Sequence, residues 1–369
     1  MTEEKSPRLT AAIELLKQLI ATPSPSRQEG ATANILQQWL VDAGVEDVRR
    51  IHNNVFALCR RFDRTKPTLM LNSHHDTVRP SASYTRNPYE PTIEQGRLYG
   101  LGSNDAGGAC VALASTFVEL YDNTDLPFNL LLALSAAEEV MAPEGMRALL
   151  PHLAEAAIVP DMAIVGEPTD MQPAVGERGL MVLDGVAEGV AGHAARSEGI
   201  NAIYRAIADI ERLRAWEPPK RSSCLGPIKV SVTMIEAGTQ HNVVPDKCRY
   251  TVDVRTTDAY SNEVTLGLLR QVVHHTVLTP RSTHIQASAL EESHPLVQAA
   301  MAMHLTPFVS PTTSDMALMR GIPAFKIGPG SSSRSHSADE FIYINELNDA
   351  LIKYPQLICQ AAKIITENG

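Results

Sequence analysis

Four short apolar runs constrain this chain more than any other feature. Residues 68–73 (TLMLNS), 129–137 (NLLLALSAA), 162–166 (MAIVG) and 324–328 (AFKIG) are almost continuously aliphatic or small. A strand with one wet face alternates apolar and polar side chains; strands this uniformly apolar are covered on both faces. Helical patterns lie around them. Ile13, Leu16 and Ile20, then Ile35 and Leu40, recur at helical spacing on either side of Pro23-Ser24-Pro25-Ser26. Residues 107–120 read as a helix rich in small residues, 295–303 as another, and 344–366 as a closing helix interrupted at Pro355. The pattern predicts an α/β fold with a mainly parallel sheet flanked by helices.

Between residues 178 and 287 the texture changes. Residues 179–190 read as strand, 202–216 as helix, 229–236 and 249–256 as alternating strands, 262–275 as helix and 284–289 as a last strand. That β-α-β-β-α-β order is the split arrangement of ferredoxin-like domains. The expectation is a discontinuous first domain, 1–177 and 288–369, with a ferredoxin-like α+β lid or dimerisation domain inserted at 178–287.

Composition excludes several classes. With 32 Lys+Arg against 42 Asp+Glu the chain is acidic, which argues against a nucleic-acid partner. Five cysteines, scattered and without a CxxC pair, argue for a reducing compartment rather than a disulfide framework. No apolar run reaches the ~18 residues a membrane span needs. The amphipathic N-terminal segment lacks a signal peptide's apolar core. A soluble, cytoplasmic protein is expected.

Each apolar run ends in residues that bind metals or move protons. TLMLNS leads into His74-His75-Asp76, NLLLALSAA into Glu138-Glu139, MAIVG into Glu167, and AFKIG into a Gly/Ser loop carrying His336. Parallel sheets gather their ligand sites at the carboxyl ends of strands, so these residues should converge. Asp105, in GLGSNDAGG ahead of the small-residue helix, adds a carboxylate at a helix N-terminus. His74, Asp105, Glu139, Glu167 and His336 make an N/O donor set for two divalent cations: zinc, with cobalt or manganese as substitutes. Asp76, two residues past His74, points the same way in an extended stretch and is placed to accept the His74 ring N–H. If Glu139 is a ligand, Glu138 is free to act as a base. Plainer readings exist for each residue alone. Glu138-Glu139 can be a solvated pair, Glu167-Pro168 turn chemistry, and His336 an exposed loop residue. GLGSNDAGG lacks the Lys-Ser/Thr ending of a phosphate loop. His75 is assigned to structure, and His241, His274, His275 and His284 to ordinary surface or packing positions.

SHHDTV, GLGSNDAGG, the Glu138-Glu139 pair, GEPT and Ser335-His336-Ser337, in that order, resemble the co-catalytic zinc amidohydrolases. That family includes acetylornithine deacetylase, succinyl-diaminopimelate desuccinylase, aminoacylase and several di- and carboxypeptidases. The resemblance spans nearly the whole chain and is strongest to acetylornithine and acetylcitrulline deacetylases, on SHHDTV with Arg79-Pro80 and on GLGSNDAGG. It implies that His74 and Glu167 hold one metal, Glu139 and His336 the other, and that Asp105 bridges them. It further implies that Asp76 orients His74 and that Glu138 is the general base. Within the inserted domain it implies an oxyanion-binding His193 donated by a partner subunit, a nearby Asn242, and an Arg255 that grips a substrate carboxylate; a plain lid salt bridge is the alternative for Arg255. The chain departs from the family where many members have Asp-Met-Lys-Gly-Gly: here Ala106 alone separates Asp105 from Gly107-Gly108.

The function implied is metal-dependent hydrolysis of an N-acyl amino acid by a homodimer joined through the inserted domain. N-acetylornithine or N-acetylcitrulline, in arginine biosynthesis, is the first expectation. A desuccinylase or dipeptidase of the same fold is the alternative. A catalytically silent metal-binding protein is the competing class, against which Glu138 and Asp76 argue, since binding alone needs no base.

Overall fold

The computed structural model describes residues 6–196 and 198–368. The chain forms two compact units, one running through Val175 and resuming at Leu290–Phe308 and from Ser314, the other Gly176–Ala289 with Val309–Thr313.

The first unit is built on the apolar runs. Thr68–His74 pairs in parallel with both Asn129–Ser135 and Met162–Val165, and Met162–Val165 pairs in parallel with Ala324–Lys326. Asn54–Leu58 joins the other side antiparallel to Asn129–Ser135, and Val48–Ile51 pairs antiparallel with it. Side chains alternate between two cores, as the period of 2 demands. Leu69, Leu71, Leu130, Leu132, Leu134 and Ile164 face one core with the helices Pro7–Ala21, Gly30–Asp42, Gly108–Leu120 and Ile344–Asn368. Met70, Leu131, Ala133, Ala163 and Val165 face the other, against Met146, Leu149 and Leu153 of the helix Met146–Glu155. Each fully buried leucine contributes about 1.5–3 kcal/mol, so neither face can be left wet.

The closing helix departs from expectation. It runs unbroken from Ile344 to Asn368 with Pro355 inside it. Proline removes one N–H from the ladder, but Leu347, Leu351 and Tyr354 before it and Leu357, Ile358 and Ala361 after it are all buried. Packing on both sides outweighs the single lost bond.

The second unit is a four-stranded antiparallel sheet in the order Lys229–Ala237, Lys247–Thr256, Gly179–Glu188, Thr276–Pro280. The helices Ala202–Ala215 and Asn262–Val272 pack on it through Ala206, Leu213, Leu266 and Leu269. This is the ferredoxin-like order. The last strand, however, is Thr276–Pro280 and not 284–289, and the preceding helix stops at Val272 instead of continuing to 275. The cause is a buried carboxylate. Asp209 takes the N–H groups of His274 (2.9 Å) and His275 (2.7 Å), bonds the helical continuation would have used. Among the described residues no helix is long and apolar enough to cross a membrane.

Candidate metal centre

Strand register decides which side chains meet. His74 ends its strand opposite Ser135, and Asn72 lies opposite Val165. The turn bearing Glu138-Glu139 and the turn bearing Glu167 therefore both open beside His74. Gly166 lets the latter strand end against the Gly108–Leu120 helix, since a Cβ there would meet Leu113 at 2.7 Å and Ala109 at 3.0 Å.

His74 Nε2 lies 3.3 Å from Asp105 Oδ1, 3.9 Å from Glu167 Oε1 and 4.0 Å from Glu138 Oε2. His336 Nε2 lies 2.9 Å from Glu139 Oε2 and 3.7 Å from Asp105 Oδ2. The two oxygens of Asp105 thus face two different histidines. Ligand-type atoms of His74, Asp105 and Glu139 fall within 4.8 Å of one another, as do those of His74, Glu138 and Glu167. All five residues expected to bind metal are brought together, with Glu138 beside them. His336 is the most open, its side chain 53% exposed.

The cluster is electrostatically tense. Burial pushes the Glu167 carboxyl up to about 8, an effect eased by His74 and increased by Asp105. Burial drives Glu138 well above the carboxylate range, with Glu167, Asp315 and Glu139 pushing the same way against the charge of His74. Burial also opposes charge on His74, but hydrogen bonds with Asp105 and Asp76 raise it well above its usual value. His336 rises to about 9, chiefly through its hydrogen bond with Glu139. Neighbouring buried carboxylates that repel one another are relieved by a divalent cation. Two imidazoles among four carboxylates suit one or two such ions.

The turn that carries Glu138 is held by backbone donors to three side chains. Ala136 N–H donates to Asn54 Oδ1 (3.0 Å) and Ala137 N–H to Glu29 Oε1 (3.1 Å). The N–H groups of Glu138 and Glu139 donate to the two oxygens of Asp76, at 3.0 and 3.2 Å. Ala137 and Met141 have φ of 55° and 47°, a left-handed conformation that such fixed bonds stabilise. This modifies the expected role of Asp76. His74 Nδ1 bonds the backbone oxygen of Asp76 at 3.0 Å and sits 3.5 Å from its carboxylate, which is largely engaged with the Glu138-Glu139 turn and the Ser26 hydroxyl (2.7 Å). Asp76 orients the turn at least as much as it orients His74. His75 is structural, bonded to Thr32 and the Asn53 carbonyl and pushed by burial down to about 4.

Glu29, Asn54, Ser26 and Asp315 escaped sequence reasoning. Asp315 is buried, takes the Ser135 hydroxyl at 2.6 Å, and is pushed by burial up to about 6. None carries a local motif; Ser26 lies in the segment that reads as a mere break between helices.

The other three expected residues lie in the second unit. His193 pairs with Val243 across a two-stranded ladder, and Ala194 N–H donates to the Asn242 carbonyl at 2.9 Å, so His193 and Asn242 are neighbours. His193 Nδ1 accepts the Ala195 N–H at 3.1 Å, which leaves the neutral ring's proton on Nε2. Arg255 is engaged with Asp253 at 2.8 and 3.2 Å, the salt bridge of the plainer reading.

A mainly parallel sheet with a histidine–carboxylate cluster at its strand ends defines an α/β protein with a candidate metal centre. The chain belongs to peptidase family M20/M25/M40, whose sequence profile matches residues 70–360. It is 27% identical to a succinyl-diaminopimelate desuccinylase of Cereibacter sphaeroides, over 94% of this chain and 97% of that protein. It is 26% identical to an acetylornithine deacetylase of Proteus mirabilis, over 96% and 99%. Its fold matches that of a dinuclear metal-binding M20 peptidase from Bacillus subtilis with a TM-score of 0.73, at 18% identity and over 98% and 99% of the two chains.

Proposed function

We propose that this chain hydrolyses the amide bond of an N-acyl amino acid with two divalent cations, zinc or cobalt, held by His74, Asp105, Glu139, Glu167 and His336. The observation that carries the reading is Asp105, whose two oxygens face His74 and His336 separately, with Glu138 alongside. The dinuclear peptidase of the same fold supports the count of two. Bound there, the cations supply Lewis acidity toward an amide carbonyl and make water nucleophilic near neutral pH. Glu138 Oε2 accepts a proton from the attacking water and returns it to the leaving amine. Asp76 holds the Glu138 backbone in place. Arg255 exchanges Asp253 for a substrate carboxylate, which its planar fork can grip with two bonds. Asn242 stands beside His193, whose Nε2–H is a donor for the developing oxyanion.

For the acyl group, the desuccinylase similarity supports a succinyl substrate ahead of N-acetylornithine or N-acetylcitrulline. A dipeptide is the second reading, favoured by the similarity of the fold to a di-peptidase from Saccharomyces cerevisiae. N-succinyl and N-acetyl amino acids, their carboxamides, and dipeptides assayed with zinc and with cobalt should show the highest kcat/KM for N-succinyl free acids. Arg255→Ala should erase the preference for free acid over amide. Preference for acetyl substrates or dipeptides would replace the succinyl reading; full activity in a verified metal-free sample would end the metal mechanism.

A further inference from the structure

Glu340 lies four residues beyond His336, is only 2% exposed, and is surrounded by backbone donors from a distant loop. Its Oε1 takes the N–H of Asn104 at 2.8 Å and of Asp105 at 2.9 Å, and its Oε2 takes that of Gly102 at 2.9 Å. Its own backbone oxygen takes the N–H of Gly100 at 2.9 Å. One residue thus holds four donors of the 100–105 loop. Gly102 has φ +76°, and a Cβ there would meet Thr77 at 2.6 Å, so the loop is shaped for this close approach. A second tie runs alongside. The Asn104 side chain donates to the Ser331 carbonyl at 3.1 Å and accepts the Ser331 N–H at 3.0 Å. The loop that carries Asp105 and the loop that carries His336 are therefore joined at two points.

We propose that Glu340 is a positioning residue for the metal centre, fixing Asp105 between His74 and His336. The inference rests on the metal reading above and adds a residue to it. Asp105 Oδ1 and Oδ2 sit 3.3 and 3.7 Å from the two histidines. A small displacement of its peptide takes one oxygen out of range of one ion. Glu340 grips that peptide's N–H directly and is anchored in the same loop as His336, so it sets both sides of the gap. A merely structural role for Glu340 predicts lost stability without lost metal affinity, and the two are separable.

The test is titration of metal-free protein with cobalt(II), read by absorption, and with zinc, read by calorimetry. Glu340→Gln keeps the side chain's size but removes its charge and turns one acceptor into a donor. It should weaken the tightest-bound ion by about 10–100-fold, the usual effect of removing a residue that orients a ligand. Melting of the metal-free protein should fall as well, since a buried N–H loses its acceptor, so affinity is compared on folded protein. Asp339→Asn is the control. Asp339 accepts the N–H groups of Thr85 and Arg86, both at 2.9 Å, in the same neighbourhood but away from Asp105. It should leave metal affinity unchanged. If Glu340→Gln does not fold, Glu340→Asp retains the charge on a shorter arm and takes the same measurement. Wild-type affinity in a folded Glu340 variant, with or without lost stability, overturns the positioning role. A wild-type protein that binds neither ion overturns the metal reading itself, which keeps the two failures distinct.

Discussion

Asp209 in the second unit and the pair Glu138 and Glu167 in the first are buried to opposite effect. In the second unit Asp209 is fully buried, yet it accepts from the His274 and His275 backbones, the Thr276 hydroxyl (2.8 Å) and Arg212 (2.7 Å). Burial alone would push it up, but those donors hold it below its ordinary value of 3.8. In the first unit Glu138 and Glu167 are also buried, face other carboxylates, and are pushed up. A buried acid ringed by donors is satisfied by the protein itself and fixes the backbone that it holds. Buried acids set against one another are unfavourable by themselves and await a cation or a proton.

The widest consequence concerns activity against stability. Glu138→Gln should lower kcat by about 10²–10⁴-fold while both metals stay bound and melting hardly changes, because the base is lost and the ligands are not. Glu139→Gln should lose metal. Near wild-type turnover in Glu138→Gln would remove it from the base role and blur the contrast between the units. Metal content by elemental analysis and turnover on the same samples check both.

Asp209→Ala should act the other way. It leaves two backbone donors and Arg212 without their acceptor, at a cost of about 2–4 kcal/mol in the second unit. Asp209 titrates lower folded than unfolded. Its contribution is therefore complete above the unfolded value and disappears as pH falls through the lower folded one. Denaturant unfolding of wild type and variant near neutral pH and in acid should show their difference shrinking in acid. A constant difference would mean that the loss is packing, not charge.

The smallest expected signal could break the comparison, by making the second unit chemical as well. Lys229–Ala237 is an edge strand with Met234 and Ile235 largely exposed, and we propose that it joins a homodimer in which each site borrows His193 from the partner. Inactive Glu138→Ala and His193→Ala subunits, mixed and exchanged at random, should then regain about a quarter of wild-type activity, since half the dimers hold one complete site of two. Exchange without recovery would confine His193 to its own turn.

The sequence by itself determined the class of fold, the β-α-β-β-α-β order of the second unit and the convergence of His74, Asp105, Glu139, Glu167 and His336. Most of this follows from local pattern: an apolar run must be covered, and in a parallel sheet residues just past such a run, as His74, Glu139 and Glu167 are, lie at the ligand end, whereas Asp105 and His336 sit in loops and their assignment leans on the motif resemblance. Tertiary structure alone decided where the last strand of the second unit falls, because Asp209 draws the His274 and His275 backbones out of a helix from far away in the chain. It also decided that Asp76 holds the Glu138-Glu139 turn, that Glu29 and Asn54 share the task, and that Glu340 grips the Asp105 loop. Periodicity reports which face of an element is apolar. It carries no information on which distant N–H a buried carboxylate will reach, since that depends on strand register and loop path, which exist only once the chain has folded.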